Sequence, residues 1–269
     1  MNCITYQYIE LLKEASTVPL CTGRNGDFSS VFGKSLTIDL SNGFQMIKAR
    51  QLNLPLIVTE LKWFLSGNTD IPDSLQNIWK PFVHESNPNQ IYSYGYAIRT
   101  QGADVDQWYE AIQGLAIDNN NRRIVIDLHQ NWYNPVPCHV SICLSRRHGR
   151  LYMSVLQRSA DIILGLPWDI TQYSILLMLI AKVLDLKPGT LNWFIHDAHV
   201  YSNHDMIGWK LTDIYNTTNY PYVNDISNQE INFTKFQQSP TELVHCPENF
   251  EVEFPNYKPL TNVKVPYNV

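Results

Sequence analysis

Residues 151–195, LYMSVLQRSADIILGLPWDITQYSILLMLIAKVLDLKPGTLNWFI, carry the pattern that decides the fold. Leu151–Gln157 reads as a strand, with Gly149 in the turn before it. Ile170–Leu184 is a long apolar stretch, too long for a strand, and reads as a buried helix that Pro188-Gly189 ends. Leu191–Ile195 is again a strand. Upstream, Arg123–Leu128 and Val140–Leu144 are strands rich in Val and Ile. Residues 5–15, 55–66 and 104–117 read as helices; the second opens on Pro55, puts Ile57, Leu61, Phe64 and Leu65 on one face and stops at Gly67. Leu20–Phe32, rich in Gly, Ser, Asn and Arg, reads as a loop leading into a strand near Lys34–Leu40. The proline-bearing stretch 71–95 reads as loop with short helices, Tyr201–Ile214 as helix, and the last 50 residues as surface-wrapping structure. Nothing resembles a linker, so the expectation is one α+β domain over residues 1–269.

Composition narrows the function. The chain is 44% hydrophobic and 17% charged, a globular balance with material for a sizeable core. Its net charge of −5 disfavours a nucleic-acid polymer as partner. No apolar run reaches a membrane span and the first residues show no secretory signal, so a cytoplasmic protein is expected. Cys3, Cys21, Cys138, Cys143 and Cys246 are odd in number and scattered, without a CxxC pair; a disulfide framework and a zinc site are disfavoured, and one cysteine doing nucleophilic work is the open alternative.

Four segments have the residue types for chemistry. Pro137-Cys138-His139 sets a thiol in a proline-stiffened loop, and Arg122, Arg123 and Arg158 are cations that would lower its pKa; a buried, inert Cys is the plainer reading. Gln157-Arg158-Ser159-Ala160-Asp161 suits phosphate or carboxylate binding, or equally an Arg158–Asp161 ion pair. His196 to His204 holds three His, but the spacing lacks a zinc pattern and suits hydrogen bonding to a sugar better. In Gly165-Leu166-Pro167-Trp168-Asp169-Ile170, Asp169 taken alone reads as a helix N-cap.

In this order, these segments and Glu60-Leu61-Lys62-Trp63-Phe64-Leu65-Ser66-Gly67 resemble the thymidylate synthase family over nearly the whole chain. The resemblance implies a mixed, twisted β-sheet packed by helices, with one sheet face forming a homodimer interface. It implies that the thiolate of Cys138 adds to C6 of a pyrimidine nucleoside monophosphate and activates C5 toward 5,10-methylenetetrahydrofolate, with no metal. Arg158 and Ser159 would bind the 5′-phosphate, joined by Arg122 and Arg123 of the other protomer, and by Arg24 if its displaced loop permits. Asp169 would meet the base, Gln157 and Asp161 would help bind the nucleotide, and His199 and Tyr201 would hold the sugar hydroxyl. Glu60 would be the general acid/base, with Tyr94 near C5 and His139 beside the thiol. Trp79, Asp161 and Gly165 would line the folate side, and the tail ending at Val269 would close over it.

One departure bears on the substrate. Thymidylate synthases have Asn where this chain has Asp169, and the same exchange marks the deoxycytidylate hydroxymethylases of the family. An amide can donate to uracil O4, whereas a carboxylate only accepts and suits cytosine N4–H₂ with a proton shared at N3. Lys80 after Trp79, and Ser93-Tyr94 without the usual preceding Pro, also depart from the synthases. The expectation is dCMP hydroxymethylation. Methylation of dCMP, a uracil nucleotide as substrate, and a non-catalytic nucleotide- or folate-binding homologue are the alternatives.

Overall fold

The computed structural model describes residues 3–100, 105–130, 133, 135–217, 228–235 and 239–257. The elements are α1 (Ile4–Ser16), β1 (Cys21–Gly23), β2 (Gly26–Asp39), β3 (Phe44–Gln45), α2 (Leu54–Ser66), α3 (Gln76–Trp79), α4 (Tyr94–Arg99), α5 (Gln107–Ile117), β4 (Ile124–Asp127), β5 (His139–Arg147), β6 (Arg150–Asp161), α6 (Gly165–Val183), β7 (Lys187–Tyr201), α7 (Asp205–Thr217), β8 (Asn228–Gln229), β9 (Asn232–Lys235), α8 (Pro240–His245) and β10 (Glu251–Glu253). The main sheet has six strands in the order β1-β2-β7-β6-β5-β4. All neighbours are antiparallel except β6 and β7, which run parallel. That exception follows from α6, which carries the chain back between them as a crossover helix. The architecture is mixed α+β, as the sequence implied.

Helix α6 is buried at 15 of its 19 positions, which is why its sequence lacks a polar face. It packs on β6 and β7, while α1 lies on β2 and α5 on β4. In α2, Asn53 Oδ1 accepts from Leu56 N, and the expected face of Ile57, Leu61, Phe64 and Leu65 is buried. Gly67 ends the helix at φ 74°, a left-handed C-cap that favours glycine. The opposite sheet face leaves Val125, Leu156, Phe194 and Phe32 exposed on four strands, with Leu156 directly opposite Phe194.

Three expectations need correction. Leu20–Phe32 is not a loop: β1 and β2 form a hairpin whose Arg24-Asn25 turn leads into Gly26 at φ 113°. The Ser-rich start of β2 is held by pairing with β7, Phe28 to Tyr201 and Ser30 to His199, so tertiary pairing overrides local propensity. Strand β7 likewise runs from Lys187 to Tyr201, taking in Pro188-Gly189 and the polar residues to Tyr201; helix α7 starts only at Asp205. Nor is Asp169 an N-cap. Helix α6 starts four residues earlier, and Asp161 Oδ1 instead accepts from Ile163 N (2.8 Å) and Leu164 N (2.9 Å).

Trp108 on α5 is 1% exposed and donates through its indole N–H to Leu243 O on α8 at 2.8 Å. Trp108→Ala should therefore destabilise the fold by ~3–5 kcal/mol in urea unfolding, from the cavity and the orphaned carbonyl.

Candidate active site

The start of β5, the ends of β6 and β7 and the first turns of α6 meet at one end of the sheet. Between β5 and β6 the register shifts here: His139 pairs with Gln157 and Ser141 with Leu156, leaving Val140 as an extra residue. The bulge breaks the alternation, so that His139 and Ile142, three apart, are both buried. It also sets the direction in which Cys138 enters the strand.

The loop bearing Cys138 is clamped through its backbone. Arg158 donates from Nε to Pro137 O (2.9 Å) and from Nη2 to Val136 O (3.0 Å), and its backbone N–H donates to Cys138 O (2.8 Å). Cys138 N donates to Tyr94 Oη at 2.8 Å, and Ser93 Oγ donates to Pro135 O at 3.0 Å. Tyr94 is itself fixed by stacking on Phe64, with centroids 4.9 Å apart. Arg158 makes no ion pair with Asp161 among the described residues; its partners are these carbonyls.

Burial pushes the Cys138 thiol above its ordinary value, and the Asp169 charge adds to this; Arg158 and the Tyr94 hydroxyl pull it down without prevailing. The expected lowering by cations is thus reversed. Arg122 and Arg123 are exposed residues just before β4. Ile124 pairs with Leu144, five residues along β5 from His139, which puts the two arginines about 20 Å from Cys138 at ~3.3 Å per residue. They do not reach the site of their own chain.

Glu60 on α2 is buried and accepts three hydrogen bonds: from Trp79 Nε1 to Oε1 (2.6 Å), and from Trp168 Nε1 (2.6 Å) and Gln172 Nε2 (2.9 Å) to Oε2. Burial pushes its carboxyl up to about 7 despite these donors, and the Asp169 charge contributes. Asp169 Oδ2 accepts from Gln157 Nε2 at 3.0 Å and lies 3.2 Å from His139 Nε2. Gln157 Oε1 accepts from Trp193 Nε1 at 2.7 Å, which fixes the amide with its NH₂ toward Asp169. His139 Nδ1 lies 2.9 Å from Tyr173 Oη. Gln157 is thus the hydrogen-bond donor to Asp169 Oδ2, with the His139 ring close beside it.

At the sheet end, Asp161 pairs with His199 in register. His199 and Tyr201 rings meet edge to face at 5.0 Å, and His199 Nδ1 lies 3.4 Å from Asp197 Oδ1. Asn25 Nδ2 donates to Tyr201 Oη at 3.4 Å, bringing the hairpin tip with exposed Arg24 to the same corner. Ser159 sits opposite Asp197 in the β6–β7 pairing. At Gly165 an added Cβ would meet only Asp169 Oδ2 at 3.7 Å, an ordinary contact, so packing does not require the glycine. Val269 lies outside the described residues. No group of three or more His, Cys, Asp or Glu among the described residues is placed to hold a metal ion, and no helix there is long and apolar enough to cross a membrane.

The structure therefore brings Cys138, Tyr94, Glu60, Trp79, His139, Gln157, Arg158 and Asp169 into one cluster, with Asp161, His199, Tyr201 and Arg24 along its rim. Sequence reasoning missed Trp168, Gln172, Tyr173, Trp193 and Asn25 as partners. Gln172 did leave a trace, as a polar residue inside the apolar run of α6.

A thiol beside a phenol, with a carboxyl that titrates near neutrality, has the parts for covalent addition and proton transfer. The class is more closely defined by comparison: a family model described as thymidylate synthase matches residues 7–269. The chain belongs to the thymidylate synthase family, folate-dependent enzymes that transfer a one-carbon unit to C5 of a pyrimidine.

Proposed function

We propose that this member of the family is a dCMP C5-hydroxymethylase, converting dCMP, 5,10-methylenetetrahydrofolate and water into 5-hydroxymethyl-dCMP and tetrahydrofolate. The observation that carries the reading is the hold of Gln157 Nε2 on Asp169 Oδ2, with His139 Nε2 3.2 Å from the same oxygen. It leaves the other carboxyl oxygen to accept, which suits cytosine N4–H₂ and a protonated N3 and opposes uracil O4.

In this reading Cys138 adds to C6, and Tyr94, hydrogen bonded to the Cys138 backbone, handles the proton at C5. Glu60, whose carboxyl titrates near 7, takes and returns protons through water at the base and the one-carbon unit. The departures from the synthases at Lys80 and around Tyr94 support water, rather than hydride, in the last step. Arg158 and Ser159 bind the phosphate, Arg24 approaches it from the hairpin, and His199 and Tyr201 hold the sugar hydroxyl. Methylenetetrahydrofolate supplies the one-carbon unit; Trp79, Asp161, Gly165 and the tail to Val269 would hold it, and a glycine that packing does not require fits a ligand approaching there.

The active form is proposed to be a homodimer of one-domain protomers, each lending Arg122 and Arg123 to the other's phosphate. Two features support this: those arginines are remote from their own site, and an apolar sheet face stands exposed. Incubation with methylenetetrahydrofolate and either dCMP or dUMP, followed by mass analysis, tests the function. The expected product is 5-hydroxymethyl-dCMP. A methylated product overturns the last step, and turnover of dUMP alone overturns the base assignment.

A further inference from the structure

Glu60 and Asp169 are two carboxyl groups in one cluster, and the charge of Asp169 opposes ionisation of Glu60. Trp168 stands directly before Asp169 in α6, yet its indole N–H turns to Glu60 and donates to Oε2 at 2.6 Å. Gln172, one turn on, donates to the same oxygen, and Trp79 from α3 donates to Oε1. An indole nitrogen can only donate. Trp168 is therefore matched to a carboxylate acceptor, and a phenyl ring of similar shape could fill the space without this bond. Asp169 and Tyr173, both on α6, are the titratable groups that couple to Glu60.

We propose that Trp168 is a positioning residue whose indole N–H fixes the Glu60 carboxylate and offsets the adjacent charge of Asp169, so that two carboxylates share one site. The residues at 168 and 169 then act as a pair. One adds a negative charge beside Glu60, and the other adds the donor that keeps Glu60 usable as a base. Gln172 supports the same oxygen.

The test is infrared titration of the free protein with ¹³C-carboxyl glutamate, the Glu60 band being identified by its loss in Glu60→Gln. Losing a donor to the ionised form raises the midpoint, so Trp168→Phe is expected to move it up by about one pH unit. Asp169→Asn removes the neighbouring negative charge and should move it down. The double variant should return it close to its starting value. The acidic limb of the pH–rate profile for release of tritium from C5 of the nucleotide should follow the Trp168→Phe shift. An unchanged midpoint in Trp168→Phe, with activity lowered equally at every pH, would reduce Trp168 to packing and overturn the proposal. If Trp168→Phe does not fold, Gln172→Met removes the second donor to Oε2 and should shift the midpoint in the same direction; no shift there overturns it equally.

Discussion

Asp169→Asn is expected to invert the base preference, from dCMP toward dUMP, with a change of ~10⁴-fold or more in the ratio of their kcat/KM values. The geometry gives the direction. Oδ2 of Asp169 accepts from Gln157 Nε2 and lies 3.2 Å from His139 Nε2. An asparagine of the same shape keeps its oxygen on the Gln157 donor, so its NH₂ takes the place of the open carboxylate oxygen. The group meeting the base then changes from acceptor to donor. A donor there pairs with uracil O4 and opposes the N4–H₂ of cytosine. The size follows from the burial of Asp169, whose side chain is 17% exposed, because a buried polar edge left unpaired is costly in either direction. The Gln157–Trp193 bond should survive, so folding should be unaffected. Competition between the two nucleotides, followed by mass analysis of the products, measures the ratio. A variant that still preferred dCMP would remove Asp169 from base selection.

Four segments of this site stood out in the sequence because their residue types are unusual for a core, but their local readings stayed open, and Glu60, Tyr94 and Trp79 were placed only by the family resemblance. A thiol between Pro137 and His139, an Arg-Ser pair at a strand end and a carboxyl at the mouth of an apolar helix each demand an explanation. The periodicity of α2 and the buried helix of α6 were plainer, although α6 begins at Gly165 and not at Ile170. What escaped was whatever depends on pairing across the chain. Strand β2 takes its form from β7, roughly 170 residues away in register, and no local feature of its Gly- and Ser-rich start announces that. The bulge at Val140 depends on the β5–β6 register and leaves no local mark. Glu60 meets Trp168 across 108 positions, so its shift toward neutral pH arises from tertiary burial rather than from its neighbours in sequence. The same burial reverses the expected direction for Cys138.

Cys138→Ser should bind dCMP with near wild-type affinity and lose turnover by ~10⁴-fold or more. The two halves of this result have separate causes. Binding should survive because the loop is held by main-chain bonds that no side-chain change at 138 touches: Cys138 N to Tyr94 Oη, Arg158 N to Cys138 O, and the Arg158 guanidinium to Pro137 O and Val136 O. Turnover should fail because a hydroxyl is a far weaker acid than a thiol and gives almost no alkoxide to attack C6. The environment sharpens the difference. Burial and the Asp169 charge already hold the Cys138 thiol above its ordinary value, with Arg158 and Tyr94 acting against them. Alkylation of the free enzyme by iodoacetamide should therefore accelerate with rising pH through a midpoint above that of an exposed thiol. Arg158→Gln should move that midpoint higher still, since the one cation pulling it down is lost. Isothermal titration with dCMP separates the two halves of the serine result. Retained turnover in Cys138→Ser would exclude the thiol as the nucleophile, whereas loss of nucleotide binding would mean that the side chain itself holds the loop.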